Sequence, residues 1–326
     1  MIGRRLFVHA VFLALAPIIV AWFGMSVPAA ILVVLLLLLW RWVVVLSGFV
    51  VPEKTPDLVL ATISASHFVE KVRWSMDRLG LDYVEQTSGG ALGAFFQGRT
   101  VPQLKIRTGS VQSSIGNSAE ILRYLWGRYA FEDPETAAFL EPTRERVELE
   151  ARLDRYGVSL QVWAYYHLLN DRELSLHVWG VNNPATPPWQ RLSLRLLFPV
   201  LRTLIRKSFR ITDENHALAV ARIETLLGEA NDWLQDGRGS LLGGDALAYT
   251  DIAFAAMTGL WLQPAAYGGG KADAVRLDRD KAPVRMLKDI EAWETGYPRV
   301  AEFVERLYAE ERKAPAAGPG EQEDRT

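Results

Sequence analysis

The feature that most constrains this chain is an uncharged run of 35 residues near its start, Leu6–Trp40, with His9 counted as neutral. One membrane-spanning helix needs about 20 apolar residues, so the run is longer than a single span. Gly, Ser and Pro residues between Gly24 and Pro28 suit a tight connection inside it. The pattern predicts a two-helix transmembrane hairpin in residues 1–52, with spans at about 6–22 and about 29–49.

Basic residues at the ends of this segment predict its orientation. Arg4 and Arg5 precede the first span, and the connection between the spans has no positive charge. Arg41 and Lys54 lie late in the second span or after it. Because cytoplasmic flanks are enriched in Lys and Arg, we expect an integral membrane protein whose C-terminal domains face the cytoplasm. A shallow re-entrant hairpin remains an alternative, as does a signal peptide for the first span alone.

The composition of the remaining chain excludes several classes of function. Only three of the 36 Lys and Arg residues and none of the 38 acidic residues precede residue 53, so the remainder carries a formal charge of −5. This balance argues against a nucleic-acid-binding protein. The absence of cysteine excludes disulfides, thiolate zinc sites, iron–sulfur clusters and a cysteine nucleophile. Five scattered histidines predict no metal cluster.

Residues 56–129 have the pattern of a small α/β domain. The apolar run 57–63 predicts a strand, and apolar residues at helical spacing follow it, with Ser64 or Ser66 as N-cap and Gly80 at the end. A second strand is predicted at 81–85. A third strand at 101–106, a hairpin partner ending near 113 and a helix beginning at Asn117 or Ser118 complete the domain.

Residues 134–312 have the periodicity of helices throughout, and residues 313–326 are predicted to be a disordered tail. Helices are expected at 134–169, 215–234 and 250–262, and at 284–312 with a break near Gly296–Pro298. Between Leu174 and Thr212, six basic residues alternate with apolar ones and no acidic residue occurs after Glu173 until Asp213. This stretch predicts either a helix that rests on an anionic membrane or a solvated helix face over the core.

Four segments, in this order along the chain, resemble motifs of the glutathione transferase superfamily: Ser66–Trp74, Gly98–Leu104, Ile115–Leu125 and Leu241–Ala253. They resemble the family's turn into its first helix, its cis-proline segment, its Ser-containing helix start and a capped helix start in its second domain. The resemblance implies a thioredoxin-like α/β domain at 56–129 followed by an all-α domain at 134–312. It implies glutathione as co-substrate, and a homodimer is possible because dimers are usual in the family.

The resemblance also implies the site. Ser66 occupies the position of the catalytic Ser or Cys, where a hydroxyl at a helix N-terminus favours a thiolate. Its simpler interpretation is a helix N-cap. Residues at the other matching positions are expected to bind glutathione: His67, Phe68, Arg99, Val101, Pro102, Asn117 and Ser118. Pro102 is expected to follow a cis peptide bond.

Two residues depart from the family pattern. His67 replaces the usual Pro, and is expected either to act on the thiolate or substrate or to be a surface histidine at a helix start. Asn117 replaces Glu, Gln or Asp and carries no charge for the glutathione ammonium. The sequence thus predicts a membrane-anchored glutathione transferase-like enzyme in which a glutathione thiolate attacks an apolar electrophile without a metal. Addition, substitution and reductive ether or thioether cleavage all stay open. The alternative is a non-catalytic binding module of the same fold at the membrane.

Overall fold

In the computed structural model, the described backbone covers six stretches of the chain: residues 24, 26–50, 55–90, 92–93, 101–108 and 111–312. Side chains are described over these residues apart from Ala30, 44–50 and Val111. The first predicted span, Arg99 and the predicted C-terminal tail lie outside the described residues.

The second apolar run forms helix α1, Val27–Val50. Wherever side chains are described, no helix combines the length and the apolar character that crossing a membrane requires. On α1 those side chains end at Val43. The two-helix hairpin is therefore not confirmed, and it stays a prediction from the sequence.

Four strands form one sheet in the order β2-β1-β3-β4. Strand β1 (Asp57–Thr62) leads through helix α2 (His67–Arg78) to β2 (Tyr83–Thr87). Strand β3 (Gln103–Thr108) is followed closely by β4 (Val111–Gly116) and then by helix α3 (Ser118–Tyr129). This is the strand–helix–strand, strand–strand–helix order that the sequence predicts. The second strand begins two residues later than the predicted Leu81.

The ends of α2 follow the local rules that the sequence suggested. Ser66, not Ser64, is the N-cap, and its side chain accepts a hydrogen bond from the Val69 N–H. Gly80 follows the C-cap with φ +64°, a left-handed conformation that glycine adopts without steric cost. The apolar residues Val72 and Met76 of α2 are buried.

The rest of the described chain is helical, as predicted. The bounds are α4 Pro134–Ala137, α5 Arg144–Leu168, α6 Arg172–Val178, α7 Pro188–Leu196, α8 Phe198–Ser208, α9 Asp213–Trp233, α10 Tyr249–Leu262, α11 Val284–Gly296 and α12 Pro298–Glu310. Short 3₁₀ turns lie at Ala138–Leu140, Leu234–Asp236, Tyr267–Gly270, Asp273–Val275 and Arg279–Lys281. The helical pattern over 134–169 is divided between two helices, because a 3₁₀ turn and an extended Glu141 separate α4 from α5.

Helix α10 is the centre of the helical packing. All its residues except Leu260 are buried, and it packs against both α2 and α5. A helix buried on every side has no solvent-facing polar side, which explains its largely apolar sequence. At its start Asp251 accepts hydrogen bonds from the Ala248 and Leu241 N–H groups, each at 2.8 Å. Thr250 does not serve as the cap, so only half of a capping box is present.

The chain divides into two compact units. One contains the residues up to 59 together with 104–115, and the other contains residues 60–103 and 116–312 of the described chain. The domain boundaries expected from the sequence, at 56–129 and 134–312, stay a prediction. All the residues of the candidate site that the structure describes belong to the second unit.

Candidate functional site

Ser66 stands where β1 has ended and α2 begins. Its Oγ accepts from the Val69 N–H at 3.4 Å, a long and therefore weak cap, and its side chain is half-buried. A serine hydroxyl has one donor hydrogen and two acceptor lone pairs, so capping uses an acceptor only. The O–H hydrogen is left to donate to a further group, and the positive end of the helix dipole acts at the same place.

Two side chains from the helical part hold the turn before Ser66. Asn183 Nδ2 donates to Ser64 Oγ at 2.9 Å, and the Tyr267 hydroxyl donates to the Ala65 carbonyl at 3.4 Å. Both Asn183 and Tyr267 are almost fully buried. Ser64 is thus occupied by a structural hydrogen bond, which leaves Ser66 as the hydroxyl that is suited to a substrate. Sequence analysis missed both contacts, because they join residues 119 and 202 positions apart.

His67 is buried, with 4% of its surface exposed, so the interpretation as a surface histidine is wrong. Its Nε2 lies 3.0 Å from the Gly157 carbonyl oxygen on α5. Because that oxygen can only accept, Nε2 carries the proton. Burial lowers the pKa of His67 to about 4, against the opposing effect of the Gly157 bond, so the ring is neutral at pH 7.

Phe68 and Gly157 also take part in the contact between the start of α2 and α5. The Phe68 ring is half-buried with its centroid 4.4 Å from that of His67. A Cβ on Gly157 would lie 2.8 Å from Phe68 Cζ and 3.1 Å from both His67 Nε2 and Met257 Sδ. The start of α2 therefore approaches α5 at the one place where α5 has no side chain. This geometry makes His67 a residue that positions the site, while its contact with glutathione stays a prediction.

The structure also describes the other predicted glutathione-binding residues apart from Arg99. The Val101–Pro102 bond is cis, as the resemblance implies, with Val101 half-buried and Pro102 buried. Asn117 is exposed and caps α3 by accepting from the Ala119 N–H at 3.1 Å. Ser118 is buried. Helices α2 and α3 pack against each other.

The departure at Asn117 has a backbone explanation. Its φ is +73°, in the region that L-residues rarely adopt and that asparagine tolerates better than most. The short amide therefore fits both the conformation and the cap. No feature of the linear pattern around 115–118 reveals this positive φ, since glycine, the usual signal, stands one residue earlier at Gly116.

Buried charges next to the site were not predicted from the sequence. On α2, Lys71 is fully buried and donates to Glu150 at 2.7 Å. Glu150 also pairs with Arg123, whose guanidinium lies over the Tyr249 ring at 5.0 Å from its centroid. On the next turn Arg73, fully buried, binds Glu70 at 3.0 Å and Glu85 at 2.6 Å. Burial alone would raise the pKa of Glu85, but Arg73 and Lys271 bring it below its usual value.

Tyr83, which the sequence could not place, is engaged in the same cluster. Its hydroxyl donates to Asp77 Oδ1 at 2.7 Å. Burial, and then the negative charge of Asp77, raise the pKa of Tyr83 far above its usual value. A tyrosine that holds its proton so firmly and already donates it to a carboxylate is not suited to stabilise a thiolate.

No family model matches the sequence, and no curated protein matches it. Solved structures do match. A glutathione S-transferase from Methylobacterium radiotolerans, in complex with glutathione sulfonate, is 17% identical, and the match covers 80% of this chain and 96% of that chain with a TM-score of 0.47. One from Ceriporiopsis subvermispora, in complex with glutathione, is 19% identical, with coverages of 80% and 100% and a TM-score of 0.48.

A third matched structure, FzlA from C. crescentus, is 14% identical, covers 81% of this chain and 94% of that chain, and has a TM-score of 0.44. Similarities of this size do not assign the chain to a family. The strand order, the capped starts of α2 and α3 and the motifs in the sequence describe the site independently of them.

Proposed function

We propose that this chain is a glutathione transferase-like enzyme attached to a membrane. Glutathione binds with its thiol at the start of α2 and its γ-glutamyl group at the start of α3, and its thiolate attacks an apolar electrophile. The observation that carries the proposal is Ser66, a half-buried hydroxyl at the N-cap of α2. Among the described residues, its Oγ makes only a long hydrogen bond, to the Val69 N–H.

Ser66 acts on the thiol in two ways. Its O–H donates to the sulfur, and a hydrogen bond to an ionised acceptor is about twice as strong as one between neutral groups. The backbone N–H groups in the first turn of α2 add partial positive charge. Both interactions favour the thiolate over the thiol, and the thiolate is the nucleophile. The proton leaves to solvent as glutathione binds. When the sulfur forms the carbon–sulfur bond, the electrophile either loses a leaving group with its bonding electron pair or, in an addition, moves its π electron pair to the adjacent atom, which takes up a proton from solvent.

The γ-glutamyl group is expected at the start of α3. Its carboxylate accepts from the N–H groups of the helix N-terminus and from Ser118, an arrangement that suits anions. Asn117 presents an exposed amide beside them. Since Asn117 has no negative charge for the α-ammonium of glutathione, we expect weaker binding than a Glu at this position would allow. Val101 offers backbone groups next to Pro102 for the cysteinyl part of the peptide.

Membrane attachment is supported by the uncharged run Leu6–Trp40 and by α7 and α8. The inner sides of these two helices are buried, whereas their outer sides carry apolar side chains that are more than half exposed: Trp189, Leu192, Leu196, Val200 and Leu204. Exposed Arg195, Lys207 and Arg210 lie among them. A solvated helix face would be polar, while apolar and basic residues together suit an anionic lipid surface. We call residues 188–210 the basic surface.

A non-catalytic binding module is the second candidate. It is favoured by the uncharged Asn117, and by His67, whose ring is neutral and bonded to Gly157. A module of this kind could bind glutathione without lowering the pKa of its thiol, or could have lost glutathione binding altogether.

Titration of the full-length chain with glutathione and with S-methylglutathione separates these functions. An enzyme binds both, and the thiol pKa of bound glutathione falls below the value of about 8.5 that is usual for a free thiol. Equal binding of both peptides without a pKa change indicates the module. Absence of binding to either peptide refutes the proposed glutathione site.

The membrane part of the proposal has a separate test. The chain expressed in cells should stay in the membrane fraction after a high-salt wash. Protease added outside sealed spheroplasts should leave the residues after Lys54 intact. Release by salt would contradict an integral segment, and cleavage from outside would contradict the cytoplasmic orientation.

A further inference from the structure

Three ligand-type side chains from separate helices meet on the side of the helical part formed by α5, α9 and α11. They are His167 at the end of α5, His216 in the first turns of α9 and Asp289 within α11. One ligand atom of each lies within 4.8 Å of the other two. The expectation that the histidines form no metal cluster is therefore wrong in geometry, because folding brings two of the five together with a carboxylate.

His216 has a ring nitrogen that lacks a hydrogen-bond partner among the described residues. This nitrogen, Nε2, is buried. The ring is nevertheless held in place, stacked on Tyr166 at 3.8 Å and perpendicular to His167 at 5.2 Å between centroids. A buried polar atom without a partner costs free energy, so an oriented but unpartnered imidazole nitrogen indicates a missing ligand.

Asp289 is oriented by a neighbouring tryptophan. Its Oδ2 accepts from Trp163 Nε1 at 2.8 Å and lies 3.1 Å from His167 Nε2. Hydrogen bonds from surrounding groups orient the carboxylates and imidazoles of metal sites in this way. Tyr166 is fixed in turn, because its hydroxyl donates to Asp213 at 2.8 Å. Contacts with neighbouring side chains thus orient all three before any ion is bound.

We propose that His167, His216 and Asp289 form a binding site for a borderline divalent transition metal such as Zn²⁺. Two imidazole nitrogens and one carboxylate are a ligand set for such ions and are poorly suited to Mg²⁺, which prefers oxygen ligands. On binding, the ion takes the place of the proton between His167 Nε2 and Asp289 Oδ2. That proton is exchanged through solvent for one on Nδ1, so His167 binds as a neutral imidazole. His216 supplies the nitrogen that has no other partner.

The present spacing is close to that of an occupied site. Ligand atoms bound tetrahedrally at about 2.0–2.1 Å from zinc lie roughly 3.4 Å apart. The three side chains would therefore draw together by at most about 1.4 Å, which small side-chain rotations achieve. The ion replaces one hydrogen bond and one unpartnered nitrogen by coordinate bonds.

A fourth coordination position would remain for water or a small ligand. His167 lines a cavity of about 430 Å³, so an ion at the cluster is accessible from it. Arg206 and Arg285 line the same cavity. Asp213 lines it as well, so the charged lining residues are positive on balance and suit an anionic ligand on the metal, such as a carboxylate or inorganic phosphate. Three protein ligands with one open position are typical of catalytic rather than structural zinc sites.

The test is calorimetric titration of the full-length chain, purified without a histidine tag, with ZnCl₂. Co²⁺ serves as the spectroscopic probe, since its visible absorption reports the coordination geometry. We expect one ion per chain and a raised melting temperature. His216→Gln and Asp289→Asn should each weaken binding at least tenfold. His216→Gln removes a nitrogen that has no partner, and Asp289→Asn keeps an acceptor for Trp163, so both variants should fold.

His177→Gln is the matched control, because His177 Nε2 contacts only the Arg276 carbonyl among the described residues, at 2.9 Å. This variant should bind Zn²⁺ as the unaltered chain does. Absence of stoichiometric binding would overturn the proposal. It would also be overturned if His216→Gln bound Zn²⁺ with unchanged affinity, since the ion would then lie elsewhere. Neither result depends on whether the chain binds glutathione.

Discussion

Arg312 and Glu70 form a hydrogen-bonded ion pair at 2.7 Å in which neither side chain is exposed, although 242 residues separate them. Arg312 also binds Asp77 at 2.8 Å, and Glu70 binds Arg73 at 3.0 Å. Arg312, two residues after the end of α12, is thereby fixed against α2. The pairs connect further to Glu85 and Lys271, so three carboxylates and three cations balance. We call these six residues the buried ion network.

Arg312→Met tests this network. We expect the free energy of unfolding to fall by about 3–5 kcal/mol, because Glu70 and Asp77 lose a cation that no water replaces. Arg306→Met is the matched control on the preceding helix. Arg306 is 40% exposed and lies 3.8 Å from Glu310, so its loss should cost less than about 1 kcal/mol. Urea unfolding of both variants measures the difference, and equal costs would mean that the network adds little stability.

Substitution of Gly157 and of Gly127 by alanine should change the stability of the chain in opposite directions. At Gly157 a Cβ would lie 2.8 Å from the Phe68 ring, so Gly157→Ala should destabilise the chain by about 1–3 kcal/mol. At Gly127, within α3, a Cβ meets nothing within 4 Å, and Gly127→Ala should stabilise it by about 0.5–1 kcal/mol. Melting temperatures give the signs. A stable Gly157→Ala variant would show that α2 can move away from α5.

His67 should make stability depend on pH in a defined window. The unfolded chain binds a proton on this residue below its usual pKa of 6.5, whereas in the folded chain burial holds the pKa at about 4. The contribution of His67 to the free energy of unfolding should therefore be constant above pH 6.5. It should fall by roughly 3 kcal/mol between pH 6.5 and 4. His67→Gln can still donate to Gly157 without titrating.

Denaturant unfolding at several pH values compares the unaltered chain with the His67→Gln variant. Between pH 7 and 4.5 the unaltered chain should lose about 2–3 kcal/mol more than His67→Gln. The other ionisable groups are common to both proteins, so their contributions cancel in the difference. Parallel curves would mean that His67 is protonated in the folded state or that solvent reaches it.

Ser66→Ala decides whether the hydroxyl acts on the thiol or only caps α2. A hydrogen bond to a charged group contributes roughly 1.5–3 kcal/mol, so the pKa of bound glutathione should rise by about one to two units. Turnover near pH 7 should fall at least about tenfold, while glutathione affinity changes less.

Thr143→Ala is the control for that experiment. Thr143 caps α5 with a 3.3 Å bond to the Arg146 N–H, close in length to the 3.4 Å bond of Ser66. Each variant should lose about 1 kcal/mol of stability as a cap. Ultraviolet titration of the bound thiolate should distinguish them. If Ser66→Ala leaves the thiol pKa unchanged, Ser66 is a cap and the non-catalytic module is favoured.

Anionic lipid should protect the basic surface from amide hydrogen exchange. In the full-length chain, we expect amide exchange of α7 and α8 to slow in vesicles containing phosphatidylserine relative to neutral vesicles. High salt should reduce this protection, because exposed charges are screened over roughly 8 Å at physiological ionic strength. The triple variant Arg195→Glu, Lys207→Glu and Arg210→Glu should abolish it. Equal exchange in both vesicles would leave α7 and α8 as a solvated face.

Local sequence was enough to predict the regular elements around the site. A polar cap, an apolar period and a terminal glycine define α2 within its own residues, and the same holds for the start of α3 at Asn117. These features depend on hydrogen bonds and backbone conformations that span at most a few residues. The strand–helix order and the break at Gly296–Pro298 were predictable for the same reason.

Only the tertiary structure decided which charged residues are buried and which of them meet. By residue type, Glu70, Lys71 and Arg73 have the character of a solvent-facing turn, yet none of their side chains is exposed. Partners far along the chain make this burial possible: Glu150 lies 79 residues from Lys71, and Arg312 lies 242 residues from Glu70. His216 and Asp289 likewise come together only through folding. The cost of burying a charge depends on groups that approach through space, and a linear pattern does not contain those distances.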